Sequence, residues 1–509
     1  MEDGARYENE KYGWDEIIME RKVLLFNPPG KILIRGEGRS DSETDPKTSF
    51  AAAKWIYPPM NLAYGAACLK EASFDPFLKD YPAERKTLVD LAEDLKNIKP
   101  VICIVNVNPS SELDDLAAID LIRQRLSDCK IIACAPYLAL YELEELSSKV
   151  LDSCDAILIA EHPESLVPLA KSLILGRFGD LKIIEGILFK DPATNSKVKT
   201  PYPVPGYLDE LPLPARDLMN NSLYIRPDSG KPQALIQTGR GCPSSCTFCL
   251  TPSLTGKAFC QRSVESVMKE VKNCVNNYGI DQIFFRADTF TINKTWVKNL
   301  CQAIISSGLK ISWCANSRAN IIDDEILAAM KKSGCWLLAF GFESGSSETL
   351  KRTQKGITVE QNEAARKKCR KHGIKVQGQY IIGFPWEGKQ HIKETFDHIK
   401  RMQCDFIDVQ ILVPYKGTAI YKEMKSKYAT LLKNSIGSKI QGGVLGTAFG
   451  LTKEDLMRYQ RQMLRSAYLS PSSILKRMMS FKSPSEFINY SKYGLNFILN
   501  QFFRVQKEE

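Results

Sequence analysis

Three cysteines carry the strongest chemical signal in this sequence. They lie in Gly239-Arg240-Gly241-Cys242-Pro243-Ser244-Ser245-Cys246-Thr247-Phe248-Cys249. Thiolates are the ligands of iron–sulfur clusters. Cys242, Cys246 and Cys249 would serve three irons of a 4Fe-4S cluster and leave the fourth iron open. An open iron can chelate the amine and carboxylate of an amino acid. The neighbouring glycines let the backbone fold tightly around such a group. Zinc is the competing reading, but structural zinc takes four protein ligands. Cys260 is the only local candidate for a fourth. The spacing therefore predicts an iron–sulfur cluster.

Such a loop needs a scaffold. The apolar stretch 234–239 runs straight into it as a strand. Further strand candidates follow at 281–286, 310–316, 335–342, 375–383 and 406–413, with helical segments between. Six strand–helix units predict a (β/α) barrel or part of one, with its chemistry at the C-terminal strand ends. A second alternating series precedes it. Strands are expected at 22–27, 101–107, 130–134 and 155–160. Helices are expected at 61–72, 84–97, 113–127, 141–150 and 163–175. That alternation predicts a doubly wound parallel sheet. Eight prolines between Pro192 and Pro232 mark a linker. The expected division is a Rossmann-like α/β domain over 1–190, a proline-rich linker over 191–232, a partial barrel over 233–420 and a helical region over 421–509.

Cys-x3-Cys-x-aromatic-Cys is the signature of the radical S-adenosylmethionine (SAM) superfamily, which this chain resembles. Gly-Arg-Gly-Cys-Pro is typical of members with an N-terminal cobalamin-binding-type domain. Asn27-Pro28-Pro29 and Pro58-Pro59-Met60-Asn61-Leu62-Ala63-Tyr64 look like that domain. Leu208-Asp209-Glu210-Leu211-Pro212-Leu213-Pro214-Ala215-Arg216 resembles the usual entry into the barrel, and Ala467-Tyr468-Leu469-Ser470-Pro471 the helical tail. The fold implied is a Rossmann-like domain, a six-stranded partial barrel and a helical tail. The activity implied is reductive cleavage of SAM by the 4Fe-4S cluster, giving methionine and a 5′-deoxyadenosyl radical that abstracts hydrogen from an unactivated carbon. An electron donor such as flavodoxin or ferredoxin is implied with it. The resemblance places Phe248 beside the cofactor, Asp288 near the SAM amine and Arg318 near its carboxylate. It places Glu343 and Ser344 near the ribose hydroxyls or the amine. Gly383, in the stretch 378–387 (GQYIIGFPWE), falls near the adenine. Turns and helix N-caps are the commonplace use of such polar residues.

The domain type implies cobalamin, and with it methylation of a small-molecule or lipid substrate. Some residues pull the other way. No histidine precedes His162, so a histidine loop cannot supply a lower ligand. The family's Gly-Gly-x-His stretch appears as Ala133-Cys134-Ala135-Pro136-Tyr137, and its Gly-Glu-Gly-Glu as Ala160-Glu161-His162-Pro163-Glu164. Those glycines would let the backbone approach a nucleotide tail. Cobalamin-dependent methylation and a non-methylating oxidation, cyclisation or C–C coupling both stay open. A tRNA methylthiotransferase-like enzyme would need a three-cysteine N-terminal domain and a C-terminal RNA-binding module. A non-catalytic iron–sulfur scaffold or sensor would have lost the polar strand ends.

The bulk numbers exclude little. A chain of 509 residues suggests two or three domains. Hydrophobic content of 44% and charged content of 25% suit a globular protein. The net charge of +10 is spread without a basic run, so nucleic acid is not expected. No apolar stretch opens the chain and none is long enough to span a membrane, so a cytoplasmic location is expected. Residues 451–509 carry ten Lys or Arg against five Asp or Glu. There Leu475, Met478, Met479, Phe481, Phe487, Tyr490, Phe497, Phe502 and Phe503 accompany Arg477, Lys482, Lys492 and Arg504. These helices could lie on an anionic membrane, a peripheral contact suited to a lipid substrate, or cap the barrel flank. The twelve other cysteines read as buried free thiols, and His372, His391 and His398 as exposed surface.

Overall fold

The computed structural model describes residues 21–30 and 56–474, apart from 432–445 and the single positions 110, 147, 205, 207, 227, 256 and 472. The cationic and apolar residues singled out from Leu475 to Arg504 lie outside the described residues.

The N-terminal sheet has seven strands: β1 (Lys22–Asn27), β2 (Asp75–Asp80), β3 (Ile102–Asn106), β4 (Lys130–Cys134), β5 (Ala156–Leu158), β6 (Ile187–Lys190) and β7 (Lys197–Lys199). Their order is β2-β1-β3-β4-β5-β6-β7. The first five are parallel, as expected; β6 and β7 return antiparallel and carry the sheet on to Lys199. The sequence reading did not include β2, β6 or β7. Asp75-Pro76 and the Lys-Val-Lys of β7 are weak strand formers that belong to sheet edges. Both faces of the parallel part are covered, so β1, β3 and β4 are buried almost continuously. One correction concerns 141–150, expected as a helix. It forms a short 3-10 turn at Leu143–Glu145 followed by a helix at Ser148–Ser153, because Glu142, Glu144 and Glu145 break the apolar periodicity.

The second sheet has six strands: β8 (Gln233–Gln237), β11 (Gln282–Arg286), β12 (Ser312–Ser317), β13 (Cys335–Glu343), β14 (Lys375–Ile382) and β15 (Phe406–Ile411). A two-stranded hairpin, β9 (Gly239–Gly241) with β10 (Phe259–Gln261), follows β8. All six are parallel and stand in sequence order with β15 and β8 at the edges, so the barrel is partial. Outer helices cover one face. Capped starts fix several of them: Ser263 for Val264–Tyr278, Asn293 for Lys294–Ser306, Asp323 for Asp324–Lys332 and Thr358 for Val359–Lys371. The helix Lys453–Leu469 packs outside β15, where the Tyr468 hydroxyl donates to the Ile407 carbonyl at 2.7 Å.

The N-terminal domain docks on the β8 side. Met60 and Tyr64, on the helix Met60–Glu71, pack with Leu235 of β8 and Phe284 of β11. Arg216 donates to the carbonyl of Leu235 at 2.7 Å and pairs with Glu270 at 2.8 Å. Arg262 pairs with the other oxygen of Glu270 at 2.6 Å, and the Tyr64 hydroxyl donates to it at 3.1 Å. This buried network satisfies the edge of the barrel sheet and ties the two domains. Among the described residues, no helix is long and apolar enough to cross a membrane.

Candidate active site

The cysteine loop leaves the barrel at the C-terminal end of β8, where the strand order predicts the chemistry. Gly241 has φ +83, and a Cβ there would sit 2.0 Å from the Ala258 carbonyl oxygen, so the hairpin demands glycine. The loop is pinned at several points. Asp288, just beyond β11, accepts from the Gly241 N–H at 2.8 Å and from the Thr251 hydroxyl at 3.2 Å, gripping both ends of the cysteine segment. In the middle, Thr247 N–H donates to the Thr353 carbonyl at 3.0 Å, and its own carbonyl accepts from Ile420 N–H at 2.9 Å.

The thiols suit a cluster. Cys242 is buried with its sulfur 3.6 Å from the Thr289 hydroxyl, while Cys246 and Cys249 are partly open. Among the described residues, no three Cys, His, Asp or Glu side chains converge on a point for one metal ion. Thiolates that each take a different iron of a cluster need not converge on one point. Burial raises the Cys246 thiol, and the nearby Lys355 and Arg318 charges pull it back down. Burial likewise raises Cys249, against hydrogen bonds with Thr251. Cations beside Cys246 favour the thiolate a metal needs.

The other strand ends surround this loop. Arg318, after β12, points one guanidinium nitrogen at the Cys246 sulfur at 3.8 Å and donates with the other to the Lys355 carbonyl. Glu343 ends β13 with φ +61, a costly conformation for a non-glycine residue and one that clusters at functional sites. Its carboxylate pairs with Lys355, whose ammonium also donates to the Gly341 carbonyl at 2.7 Å. Lys355 was not singled out from the sequence; it sits in a Thr-Gln-Lys-Gly loop with no distinctive spacing. Ser344 turns outward, its hydroxyl 2.9 Å from that of Thr395, so it closes a turn on the helix Lys389–Met402. Gly383 ends β14 with φ +88. The buried Glu387 carboxylate accepts from the N–H groups of Gly383 at 2.7 Å and Phe384 at 3.1 Å, and from the Thr349 hydroxyl at 3.0 Å. Phe248 meets Phe384 edge-on with centroids 6.0 Å apart, and Phe384 stacks on Trp386 at 5.1 Å. The Arg352 guanidinium lies 4.1 Å from the Trp386 ring centroid.

Below these ends the barrel interior is lined with polar groups. Strand β14 alternates strictly, Val376, Tyr380 and Ile382 packing outward while Lys375, Gln377 and Gln379 stay partly accessible. Asn316, Asp408 and Gln410 occupy the same kind of position on β12 and β15. Gln379 stands opposite Asp408 in the sheet register. Burial raises the Asp408 carboxyl, opposed by the Gln410 amide, which donates to both its oxygens at 2.9 Å. One histidine expectation is corrected: His398 is fully buried and 3.1 Å from the Tyr380 hydroxyl. It lies on the inner face of its helix, a placement the charged flanking sequence hid. His372 and His391 pair with Asp324 and Glu348 at 2.7 and 3.0 Å.

A second concavity lies at the carboxyl ends of β3, β4 and β5, lined by Asn106, Cys134, Leu158, Glu161, His162 and the helix residue Asn61 among others. The order β2-β1-β3-β4-β5 reverses between β1 and β3, the place where open α/β sheets take ligands. Asn27 links Asp80 at 3.1 Å and Asn106 at 2.9 Å across that reversal. Just past β3, Asn108 is buried with neither amide atom hydrogen-bonded.

Fold and site together define an α/β enzyme with a three-thiol loop at the mouth of a partial barrel and an added Rossmann-like domain. Known proteins agree. The Radical SAM superfamily profile matches residues 236–399. An uncharacterized methyltransferase of Pyrococcus horikoshii, PH0819, is 31% identical over 82% of this chain and 89% of its own. The bacteriochlorophyllide d C-12(1)-methyltransferase of Chlorobaculum tepidum is 28% identical over 53% of this chain and 57% of its own. The cobalamin-dependent SAM radical enzyme OxsB, solved with aqua-cobalamin and SAM, has the same fold: TM-score 0.69, 17% identity, 95% of this chain and 72% of its own. The chain belongs to the radical SAM superfamily.

Proposed function

We propose that this radical SAM enzyme is a corrinoid-dependent C-methyltransferase acting on a small-molecule or lipid substrate. The relation that carries this reading is the 31% identity to a methyltransferase across both domains, not the barrel alone. Two features of the chain support it. The three-thiol loop is pinned for a cluster, and the N-terminal sheet keeps a pocket at the carboxyl ends of β3, β4 and β5, with the buried Asn108 amide unsatisfied just past β3. Bound in those two places, a 4Fe-4S cluster supplies the electron that splits a sulfur–carbon bond of SAM, and a corrinoid supplies a methyl carrier.

The chain's own groups do the positioning. Asp288 and Gly241 fix the cysteine loop, and Arg318 sets a cation beside Cys246 for the SAM carboxylate. The Glu343–Lys355 pair offers an acceptor for the SAM amine or ribose. Gly383, at the end of β14, and the partly buried Phe248 ring, backed edge-on by Phe384, offer apolar surface for the adenine. Asn316, Gln377, Gln379 and Asp408 give the interior hydrogen-bonding groups for substrate. The partly open Cys246 and Cys249 make the loop reachable by a one-electron donor such as flavodoxin or ferredoxin. The basic C-terminal residues would suit a peripheral membrane contact if the substrate is a lipid.

A non-methylating reaction is the second reading, favoured by the replaced glycines around Cys134 and Glu161. A methylthiotransferase fits less well, because Cys103, Cys129 and Cys154 belong to the apolar core of the N-terminal sheet. Anaerobic turnover with reductant and SAM separates the two leading readings. The methyltransferase forms 5′-deoxyadenosine and S-adenosylhomocysteine in comparable amounts. Only 5′-deoxyadenosine and methionine, with no corrin absorbance retained after desalting, would overturn it.

A further inference from the structure

Five arginines in the described structure are less than a tenth exposed: Arg216, Arg226, Arg240, Arg262 and Arg366. Four have a carboxylate partner. Arg216 and Arg262 share Glu270, Arg226 has Asp228 at 2.6 Å and Arg366 has Asp405 at 3.5 Å. Arg240 is the exception. It is 5% exposed, its Nη1 is fully buried, and that nitrogen has no hydrogen-bond partner among the described residues. A guanidinium cannot shed its charge by deprotonating. Leaving a buried guanidinium nitrogen without a partner costs folding free energy, which a ligand that completes it would recover.

Its surroundings say where that ligand lies. Arg240 sits in the β9–β10 hairpin, its backbone paired with Cys260 and two residues before Cys242. Its charge is felt by Cys68, on the helix Met60–Glu71, and by Glu164, in the turn after β5. Arg262, one residue past the same hairpin, donates to the Tyr64 hydroxyl of that helix at 3.3 Å, so the hairpin lies against the N-terminal domain. Glu164 is already engaged by His162 at 2.8 Å. The neighbouring residues Glu161, His162 and Pro163 wall the pocket at the carboxyl ends of β3, β4 and β5. A guanidinium fork on the hairpin that meets this domain can take two oxygens of a phosphate at once.

We propose that Arg240 receives a phosphate group of a ligand held between the cluster hairpin and the N-terminal domain. The proposal rests on the corrinoid reading for its main source, the phosphodiester of the nucleotide loop, the one anionic group of cobalamin. A free phosphate or phosphate ester is the other source.

Equilibrium binding to the full-length, cluster-reconstituted protein tests it without turnover. The probes are hydroxocobalamin, cobinamide (which lacks the nucleotide loop and its phosphate) and inorganic phosphate. The proteins are wild type, R240Q, R240K and E164Q. The expected result is a roughly ten- to hundredfold weaker cobalamin affinity in R240Q with cobinamide affinity unchanged. R240K, with charge but no fork, should fall between. Iron content, equal in all four, shows that the hairpin is intact; should R240Q lose iron, R240K carries the comparison. Without ligand, R240Q should melt no lower than wild type, because the buried nitrogen it removes makes no hydrogen bond. If wild type binds no corrinoid but phosphate raises its melting temperature and not that of R240Q, phosphate recognition stands and the corrinoid reading falls. Corrinoid binding that R240Q leaves intact, or weakens equally for cobinamide, overturns the proposal and leaves the corrinoid reading in place. Equal destabilisation of ligand-free R240Q and E164Q also overturns it, since Arg240 would then be a structural partner of Glu164. Binding of neither corrinoid nor phosphate to wild type overturns both.

Discussion

The two parallel sheets use the same strand–helix repeat to opposite ends. In the N-terminal sheet, Val23 to Phe26 and Ile102 to Val105 are buried at every position, because helices cover both faces. In the barrel sheet, β14 buries every second residue and leaves the others partly accessible. The first sheet is a slab that leaves room for a ligand at its strand ends. The second curves around an interior whose polar side chains are spared from packing. A repeat thus becomes a scaffold or a reaction vessel according to whether its second face meets helices or itself.

The cysteines break this comparison most sharply. A Cys242/Cys246/Cys249→Ala triple variant should lose essentially all iron, about four atoms per chain. A Cys103/Cys129/Cys154→Ala variant, three thiols in the core of the slab, should keep it and show only weakened folding. Iron and sulfide analysis after anaerobic reconstitution measures both. Iron retained by the first variant would mean that the site lies elsewhere.

The join between the sheets should give the next largest effect. Glu270 is wholly buried against Arg216 and Arg262. Glu270→Ala leaves two buried guanidinium groups uncompensated, at a cost of about 3–5 kcal/mol in a denaturant melt. Loss of cooperativity between the domains should accompany it. A cost within the range of a surface substitution would show that the network does not hold the join.

Within one strand the contrast becomes a controlled pair. Ile382 of β14 packs outward and is fully buried, so Ile382→Ala should cost about 2–5 kcal/mol. Gln379, three residues earlier, faces the interior. Gln379→Ala should change stability by no more than about 0.5 kcal/mol, while lowering substrate-dependent turnover. Equal destabilisation by the two would mean that the interior is packed and not open.

Much of this contrast was legible in the sequence. The barrel strands were found because each is a β-branched or aromatic run followed by a helix of clear period. The three thiols were found because their spacing has few other uses. What escaped depended on contacts between distant residues. Lys355 acquires meaning only because the loop after β13 folds back on Glu343. Strand β2 exists because β1 offers it an edge, not because Asp-Pro-Phe-Leu-Lys-Asp favours extension. His398 stands among Lys, Glu and Asp in sequence, yet it shares the inward face of the helix Lys389–Met402 with Ile392, Thr395, Ile399 and Met402, which sets it against Tyr380. In the sequence Arg240 is one residue of a motif; that it is, among the described residues, the buried arginine outside any ion pair emerges only once the chain is folded.

The smallest expected effect is a pH dependence confined to the barrel's outer layer and the β14 end. Burial pushes the Glu387 carboxyl up to about 7 from an ordinary value near 4.5, against the hydrogen bonds from Gly383, Phe384 and Thr349. A group raised in the folded state favours folding below its unfolded value and loses that contribution as pH rises through its folded one. Glu387 therefore lowers stability between pH 4.5 and about 7. Burial lowers His398 to about 4 from 6.5. Its contribution is complete above pH 6.5 and is lost as pH falls toward 4, so it raises stability with pH over nearly the same window. Each slope is at most about 1.4 kcal/mol per pH unit, and the two oppose each other. Wild-type stability from these two groups should be nearly flat between pH 4.5 and 6.5. Glu387→Gln removes the falling limb and should unmask the rise due to His398, whatever its effect on absolute stability. Urea melts of both proteins at half-unit intervals measure the slopes. Parallel curves for the variant and wild type would show that Glu387 is ionised throughout, and that its three hydrogen bonds outweigh its burial.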